Sequence, residues 1–380
     1  MSNFLAEDLD HILDHTRDLW EELRGQRIFI TGGTGFFGCW LLESFAWAND
    51  RLGLGASALV LTRDSDAFAR RVPHIATHAA IRCHAGDVRT FAFPAGEFSH
   101  VIQAATEASS KQNDEDPLLM LDTIIQGTRR VLDFAVASRA KKFLLTSSGA
   151  VYGRQPAELT HIPETYMGGP DTTDSRSAYA EGKRVGELLC SIYHRRYGLE
   201  TKIARCFAFV GPRLPLTSHF AVGNFIEDAL QGGPTRVCGD GTPFRSYLYS
   251  ADLTAWLWTI LMKGASCRPY NVGSEESISI SDLAVSVSKV LNCAAAPQVA
   301  KSADPNSRAE RYVPATRRAA DELGLKSAVP LEDGIRRTAD WYRRAGISER
   351  PLEIQLPSEG CGDAVHSSEG QLHPAESGTH

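Results

Sequence analysis

The fold is decided by residues 28–38, which read Ile-Phe-Ile-Thr-Gly-Gly-Thr-Gly-Phe-Phe-Gly and are followed by Cys-Trp-Leu-Leu. The apolar run predicts a strand, and the residues after the glycines predict a helix. Glycines at every third position permit a tight turn and let backbone N–H groups approach a pyrophosphate. The segment therefore predicts a dinucleotide-binding turn. The residues expected to contact the cofactor here are Gly32, Gly35, Phe36, Phe37 and Gly38.

Short apolar runs recur along the chain and alternate with segments of helical periodicity. Apolar runs of this length suit a parallel sheet buried on both faces, and the intervening segments are long enough for crossover helices. The order predicts a Rossmann-type, doubly wound parallel α/β sheet. The predicted strands are 27–31, 58–62, 81–84, 101–105, 143–146 and 203–207, and two predicted crossover helices are 117–138 and 177–197.

The texture of the sequence divides the chain into four predicted segments. Residues 1–25 have apolar side chains at helical spacing and predict an N-terminal helix. Residues 26–210 predict the NAD(P)-binding Rossmann domain, to which strands and helices from later in the chain return. Shorter segments broken by Gly and Pro predict a smaller C-terminal substrate-binding lobe at 211–350. Residues 351–380, rich in Ser, Glu, Gly and Pro, predict a disordered tail.

Composition and charge exclude several classes of protein. The chain has 380 residues, of which 43% are hydrophobic and 23% charged, as in an ordinary globular protein. The formal net charge of −6 provides no basic field for nucleic acid or anionic lipid. The longest uncharged apolar run, 253–262, is too short to cross a bilayer, and the cysteines form no Cys-x-x-Cys pair. We therefore expect a cytoplasmic protein with no metal site, no membrane contact and no nucleic-acid partner.

Two further strand ends point to the adenine half of the dinucleotide. The second predicted strand ends in Thr62, Arg63 and Asp64, where this fold usually holds the adenine ribose. A guanidinium favours a 2′-phosphate, so Thr62 and Arg63 favour NADP within the NAD(P) class, whereas Asp64 favours NAD. Asp87 and Val88, just past the third strand, are placed to meet the adenine edge. An ordinary turn is the alternative interpretation of Asp87.

The pair Tyr179 and Lys183 predicts the catalytic site. Residues four apart share one helix face, here near the start of the helix predicted at 177–197. A lysine ammonium there can lower the pKa of the phenol and hold a nicotinamide ribose, which makes the tyrosine a proton donor and acceptor. The spacing alone is common by chance. It gains weight because a serine-rich strand end at 145–153 precedes it at the distance this fold needs.

From about residue 27 to residue 342, the chain resembles the extended short-chain dehydrogenase/reductases, specifically their NAD(P)-dependent nucleotide-sugar epimerase/dehydratase group. The resemblance implies an oxidoreductase or isomerase that exchanges a hydride between a nicotinamide and a carbon, usually C4, of a nucleoside-diphosphate sugar. Enzymes of this group commonly serve polysaccharide biosynthesis. The shared motifs are at 31–38, 86–88, 101–105, 127–128, 147–153, 179–183, 210–213, 239–241, 245–247, 270–273 and 311–314.

The same resemblance implies roles for individual residues. Tyr179 would be the acid/base, Lys183 would tune it, and Ser148 would hydrogen-bond the reacting oxygen. Ala104 and Ala105 would join the cofactor-binding residues.

In the later lobe, the resemblance implies that Asn224, Arg245 and Arg311 hold the nucleotide diphosphate and that Val237 lies against the base. A bidentate arginine suits a diphosphate physically, and the alternative for both arginines is a surface salt bridge. The family also often dimerises through the two helices that flank the active site, so a homodimer is expected.

The departures from the family narrow the expected reaction. Dehydratases of this group carry an Asp-Glu pair directly after the active-site Ser or Thr, and the decarboxylases usually carry a Glu there. This chain has Gly149 and Ala150. What remains suits a 4-epimerase or a 4-ketoreductase. One alternative is a 4,6-dehydratase with non-standard acid and base residues, and another is a non-catalytic, dinucleotide-sensing Rossmann module. The candidate substitutes for the missing acids are Glu107, Lys111, Glu158 and Glu164.

Overall fold

In the computed structural model, which describes residues 3–105, 110–218, 220–304 and 308–346, seven strands form one parallel central sheet. The remaining strands are short and form small sheets beside it. The strands are β1 (Arg27–Thr31), β2 (Ser57–Thr62), β3 (Ile81–Ala85), β4 (His100–Gln103), β5 (Lys142–Ser148), β6 (Glu200–Cys206), β7 (Phe209–Val210), β8 (Arg236–Val237), β9 (Phe244–Arg245), β10 (Leu248–Tyr249), β11 (Pro269–Val272), β12 (Ile278–Ser279), β13 (Gln298–Val299) and β14 (Arg311–Tyr312).

Helices cover the central sheet and build the later lobe. Short 3₁₀ helices occur at Arg17–Leu23, Gly149–Tyr152 and Ser175–Ser177. The α-helices are α1 (Ala6–Thr16), α2 (Phe36–Leu52), α3 (Ser65–Arg71), α4 (Pro73–Ala76), α5 (Ser110–Glu115), α6 (Pro117–Ala137), α7 (Ala178–Tyr197), α8 (Ala221–Leu230), α9 (Ser250–Lys263), α10 (Ile280–Val290), α11 (Arg317–Leu323) and α12 (Leu331–Ala345).

The order of strands in the central sheet is β11-β6-β5-β4-β1-β2-β3. Chain order reverses between β1 and β4, which makes the carboxyl ends of these two strands the switch point where this class of fold binds ligands. Both faces of the sheet are buried. Ile28 and Ile30 of β1 pack in one apolar cluster, whereas Phe29 packs in another with Val101. The predicted doubly wound parallel α/β fold is confirmed.

The element boundaries differ from the sequence predictions most clearly at the fourth strand, at β11 and at the N-terminal helix, and by up to three residues at other strand ends. The fourth strand ends at Gln103, so Ala104 and Ala105 lie in the loop that follows it. The strand β11 was not predicted as a strand. The helix predicted over 1–25 is an α-helix only over Ala6–Thr16 and continues as a 3₁₀ helix over Arg17–Leu23. The tail predicted at 351–380 lies outside the described residues.

The later lobe has an apolar cluster of its own. Helices α8, α10 and α12 pack around it, α1 adds Leu9 and Ile12, and Leu5 joins the cluster from just before α1. A small sheet of β12, β9 and β14 lies in the same part of the chain. Within the described ranges, no helix is both long and apolar enough to cross a membrane, and no group of His, Cys, Asp and Glu side chains could hold a metal ion.

Candidate active site

Ser148 lies at the carboxyl end of β5, where the chain turns into a 3₁₀ helix. Its side chain caps that helix, since the Ser148 Oγ accepts a hydrogen bond of 3.1 Å from the backbone N–H of Ala150. The residue is buried. Because the strands are parallel, the end of β5 lies beside the ends of β4 and β6, so Ser148 opens onto the ligand-binding edge of the sheet.

Helix α7 brings Tyr179 and Lys183 to the same edge. Tyr179 is in the first turn of α7, and Lys183 is one turn later. The Lys183 ammonium donates a hydrogen bond of 2.8 Å to the carbonyl oxygen of Thr146 in β5, and its Nζ lies 5.7 Å from the centroid of the Tyr179 ring. The geometry thus brings Ser148, Tyr179 and Lys183 together from two elements.

Burial is the main cause of the shifted pKa values of Tyr179 and Lys183. It raises the pKa of Tyr179 to about 12, and the hydrogen bond with the Ser148 side chain acts in the opposite direction. Burial also lowers the pKa of Lys183 to about 8. The sequence suggested the lysine as the group that lowers the phenol's pKa, whereas the structure gives this effect to Ser148. Tyr179 is therefore a neutral phenol at pH 7, ready to donate its proton.

A second phenol, that of Tyr312, reaches this group from the later lobe. Burial raises its pKa, and a hydrogen bond with the Ser148 side chain opposes that rise. A Cβ atom built on Gly149 would lie 2.7 Å from the Tyr312 hydroxyl and 2.7 Å from the ring of Phe207. The sequence motif at 311–314 predicts a role for Arg311 but none for Tyr312. The contact of Tyr312 with Ser148 joins residues that are far apart in the chain, so no local sequence pattern predicts it.

The two arginines predicted to hold a diphosphate lie on neighbouring strands of the small sheet. Strands β9 and β14 are parallel and pair Arg245 with Tyr312, which places this guanidinium beside the second phenol. Arg245 donates a hydrogen bond of 2.9 Å to the carbonyl of Phe244, and Arg311 stacks 4.3 Å from the centroid of the Phe244 ring. Among the residues that the structure describes, neither guanidinium has a carboxylate within ion-pair distance. The salt-bridge alternative is thus not what these side chains do.

The other two predicted substrate residues lie in different surroundings. Asn224 is exposed on α8. Val237 is buried on β8 within the apolar cluster of the lobe. In this structure the Val237 side chain contributes to packing of the lobe, and its contact with a base stays a prediction.

The glycine turn after β1 has the shape that a pyrophosphate requires. Gly32 has φ +68°, and a Cβ there would lie 2.4 Å from the Ala104 carbonyl oxygen. A Cβ on Gly38 would lie 2.2 Å from the Gly32 carbonyl oxygen, so the start of α2 packs directly on the turn. Gly35, the N-cap residue of α2, has no side chain that could hydrogen-bond to the N–H groups of the helix. The N–H groups of the first turn therefore face outward toward an anion, and these residues fit a dinucleotide.

The remaining predicted cofactor residues line the same edge. Thr62 is buried, and its hydroxyl bonds to the backbone of Asp64. The Asp64 carboxylate caps α3 by accepting a hydrogen bond of 2.8 Å from Ala67, while Arg63 is exposed. Phe36 and Phe37 are half-buried and pack against each other at the start of α2.

Asp87 and Val88 follow β3 and make local contacts. The Asp87 carboxylate accepts hydrogen bonds of 2.9 Å and 3.0 Å from the Arg89 guanidinium, which lowers its pKa. Val88 packs against Gly127 of α6, where a Cβ would lie 2.9 Å from the valine side chain. Both the adenine contact and the ordinary turn remain compatible with this geometry.

Of the four alternative acid and base candidates, the structure describes the side chains of two, Glu158 and Glu164. Glu164 accepts a hydrogen bond of 3.0 Å from the backbone of Asn271, and Glu158 is exposed. Glu107 and the side chain of Lys111 lie outside the described residues.

Comparison with known proteins places this geometry in a family. The family model described as NAD dependent epimerase/dehydratase family matches residues 28–273. UDP-glucuronic acid decarboxylase 1 of Arabidopsis thaliana is 30% identical over 326 residues, which are 85% of this chain and 71% of that protein.

Solved structures show the same relationship. A UDP-glucose 4-epimerase of Thermus thermophilus in complex with NAD is 27% identical with a TM-score of 0.69, and the match covers 84% of this chain and 100% of that one. A dTDP-glucose 4,6-dehydratase of Streptomyces venezuelae shares the fold at 24% identity and a TM-score of 0.70, over 84% of this chain and 97% of that one. The resemblance inferred from the motifs is confirmed, and this chain belongs to the NAD-dependent epimerase/dehydratase family of enzymes.

Proposed function

We propose that this protein transfers a hydride at C4 of a nucleoside-diphosphate hexose, as a 4-epimerase or a 4-ketoreductase. The observation that carries the proposal is the buried group of Ser148, Tyr179 and Lys183 at the ligand-binding edge of the sheet. Two guanidiniums, those of Arg245 and Arg311, have no carboxylate partner among the described residues and provide charge for a diphosphate.

The chain's own residues supply the proton chemistry. Tyr179 gives its phenolic proton to the oxygen on C4 when a ketone is reduced, and the phenolate form of Tyr179 takes the proton of the C4 hydroxyl when an alcohol is oxidised. Ser148 hydrogen-bonds the same oxygen. The hydrogen bond from Lys183 to β5 holds helix α7 against that strand. A bound nicotinamide would accept the hydride from the sugar carbon or deliver it.

Crowding at Gly149 favours this reaction over the elimination of water. A dehydratase of this family places an acid at the position of Gly149, but Phe207 and Tyr312 already fill the space where its Cβ would stand. Ala150, at the next position, has no group that can carry a proton. Both observations support oxidation and reduction at one carbon.

We test the function with several nucleotide sugars, namely UDP-glucose, UDP-N-acetylglucosamine, UDP-glucuronate and dTDP-glucose, each with NAD(H) and NADP(H), and with 4-keto sugar nucleotides under NADPH. The products are identified by mass spectrometry and NMR. We expect a 4-epimer or a reduced 4-keto sugar. In Tyr179→Phe, turnover should fall by about a thousandfold or more, while the Kd for the dinucleotide stays nearly unchanged.

Tyr193→Phe is a matched control for this test. Tyr193 is another tyrosine of α7, and its hydroxyl bonds to Asp133 rather than to the site. Its variant should retain turnover. A 4-keto-6-deoxy product would instead make the protein a dehydratase, and release of CO₂ from UDP-glucuronate would make it a decarboxylase. Dinucleotide binding without turnover of any substrate would support the non-catalytic module.

NADP is the proposed dinucleotide. The Asp64 carboxylate is engaged in capping α3, which removes the acid that would favour the ribose hydroxyl of NAD, and Arg63 is exposed at the same strand end. Mass spectrometry of the dinucleotide released on denaturation, or titration with NADH and NADPH if none is released, identifies it. Preference for the phosphate-free form would contradict the proposal. A cofactor that is retained at one molecule per protein chain would favour the epimerase. A cofactor that is consumed in each turnover would favour the reductase.

A homodimer is proposed for the assembled enzyme. Helices α6 and α7 pack on each other, and their outer surface exposes Leu118, Leu188 and Ile192. Exposed apolar side chains on two adjacent helices are suited to a self-complementary interface.

A further inference from the structure

The start of the catalytic helix is held by a side chain from a distant part of the sequence. Helix α7 begins at Ala178, and its cap residue Ser177 provides no side-chain hydrogen bond. The backbone N–H of Tyr179 is in the first turn of α7. An N–H group in the first turn of a helix has no acceptor within that helix. The Oδ1 of Asn113, in α5, accepts a hydrogen bond of 3.1 Å from that N–H.

The same amide also holds the residue on the other side of the helix start. Its Nδ2 donates a hydrogen bond of 2.8 Å to the carbonyl of Arg176, and the Asn113 residue is only 9% exposed. One planar group thus satisfies a donor and an acceptor that flank Ser177 and Ala178. Reversing the amide would place donor against donor and acceptor against acceptor, so the geometry fixes its orientation.

Three other helices of the protein take their caps from the residue directly before them. Asp64 caps α3, Asp116 caps α6 and Ser279 caps α10, each with its own side chain. At α7 the cap comes from α5, a separate helix, and Asn113 lies 66 residues before Tyr179 in the chain. The position of the first turn of α7 therefore depends on a tertiary contact.

We propose that Asn113 is a positioning residue that fixes the backbone of Tyr179 and so the place of its phenol. The inference rests on the proposed function, because it assigns the phenol a reacting role. The Tyr179 hydroxyl is at the far end of a rigid ring, so rotation at its Cα is amplified there. Misplacement of a reacting group by about 1 Å can reduce a rate by about a hundredfold.

Three variants test the proposal with the sugar nucleotide and dinucleotide that the wild-type enzyme turns over. Asn113→Ala removes both hydrogen bonds and should lower kcat by about tenfold to a hundredfold, with KM within about twofold. Asn113→Asp keeps an acceptor for the Tyr179 N–H but places a carboxylate oxygen against the Arg176 carbonyl, so it should recover only part of kcat. Asp116→Ala removes the local cap of α6 and should lower Tm as much as Asn113→Ala does, with kcat unchanged.

Hydrogen exchange separates this inference from the proposed function. In the full-length protein, Asn113→Ala should speed exchange at the Tyr179 amide, and Asp116→Ala should not, whether or not a substrate is known. Wild-type protein without turnover of any sugar nucleotide would contradict the proposed function alone. Unchanged exchange at Tyr179, unchanged kcat, or a loss of kcat in Asp116→Ala that matches its loss of Tm would overturn the role of Asn113.

Discussion

At the scale of single residues, the buried charge of Lys183 lowers the stability of the folded protein. Its side chain is buried with 3% exposure, and burial lowers its pKa from 10.5 to about 8. At pH 7 the ammonium is charged in both the folded and the unfolded protein, so the folded protein carries the full cost of burying that charge. Under the proposed function, the reason to bury a lysine at this position is its role in the site rather than stability.

We therefore expect Lys183→Met to be inactive but more stable than the wild type. At pH 7 the free energy of unfolding of the cofactor-free protein should rise by about 1–3 kcal/mol. Between pH 8 and pH 10.5 the unfolded wild type holds a proton that the folded form has lost, so wild-type stability rises with pH and the advantage of Lys183→Met shrinks. Urea denaturation at pH 7, 8, 9 and 10 measures both effects.

Lys202→Met is the matched control, because it removes a buried lysine that has a carboxylate partner. The Lys202 ammonium donates a hydrogen bond of 2.7 Å to Glu200, so its removal breaks a pair and should not stabilise the protein. A Lys183→Met variant that is less stable than wild type at pH 7, or whose advantage is the same at every pH, would contradict this account of the buried charge.

The residues of the site that the sequence could predict are those with a local signature. Tyr179 and Lys183 share a helix face and follow a serine-rich strand end, so these local patterns together predict the pair, whereas the role of Ser148 is implied by the family resemblance. Asn113 and Tyr312 reach the site only through tertiary contacts, from α5 and from the later lobe. No local pattern of charge or periodicity marks either of them, which is why sequence reasoning missed both.

At the scale of elements, strands with an uninterrupted apolar run were predicted with boundaries close to those observed. The strand β11 was missed because it is short, begins with a proline and lies at an edge of the sheet, where only β6 pairs with it. The N-terminal helix was predicted too long because apolar spacing continues past Thr16. The Thr16 hydroxyl donates to the Ile12 carbonyl and accepts from the Trp20 indole, and the chain tightens into a 3₁₀ helix there.

At the scale of the whole molecule, helix α7 carries the proposed catalytic residues on one face and exposed apolar side chains on another. Its inner residues, Tyr179 and Lys183, face the site, whereas Leu188 is 59% exposed and Ile192 is 46% exposed. Residues four apart on a helix lie on one face, so these two apolar side chains form a continuous stripe. In a two-fold symmetric dimer each substitution acts twice, which makes the interface sensitive to charge.

The double variant Leu188→Lys with Ile192→Lys should therefore convert a dimer into a monomer, and analytical ultracentrifugation over a tenfold range of concentration measures this change. Val285→Lys, on α10, is the control, because Val285 is 54% exposed yet belongs to the later lobe, and it should leave the dimer intact. A wild-type protein that sediments as a monomer throughout, or a double variant that stays dimeric, would contradict the proposed interface. The stripe is on the helix that carries Tyr179, so dissociation should also lower kcat if the partner subunit stabilises the position of that helix. An unchanged kcat in the monomer would show that α5 and β5 hold the helix by themselves.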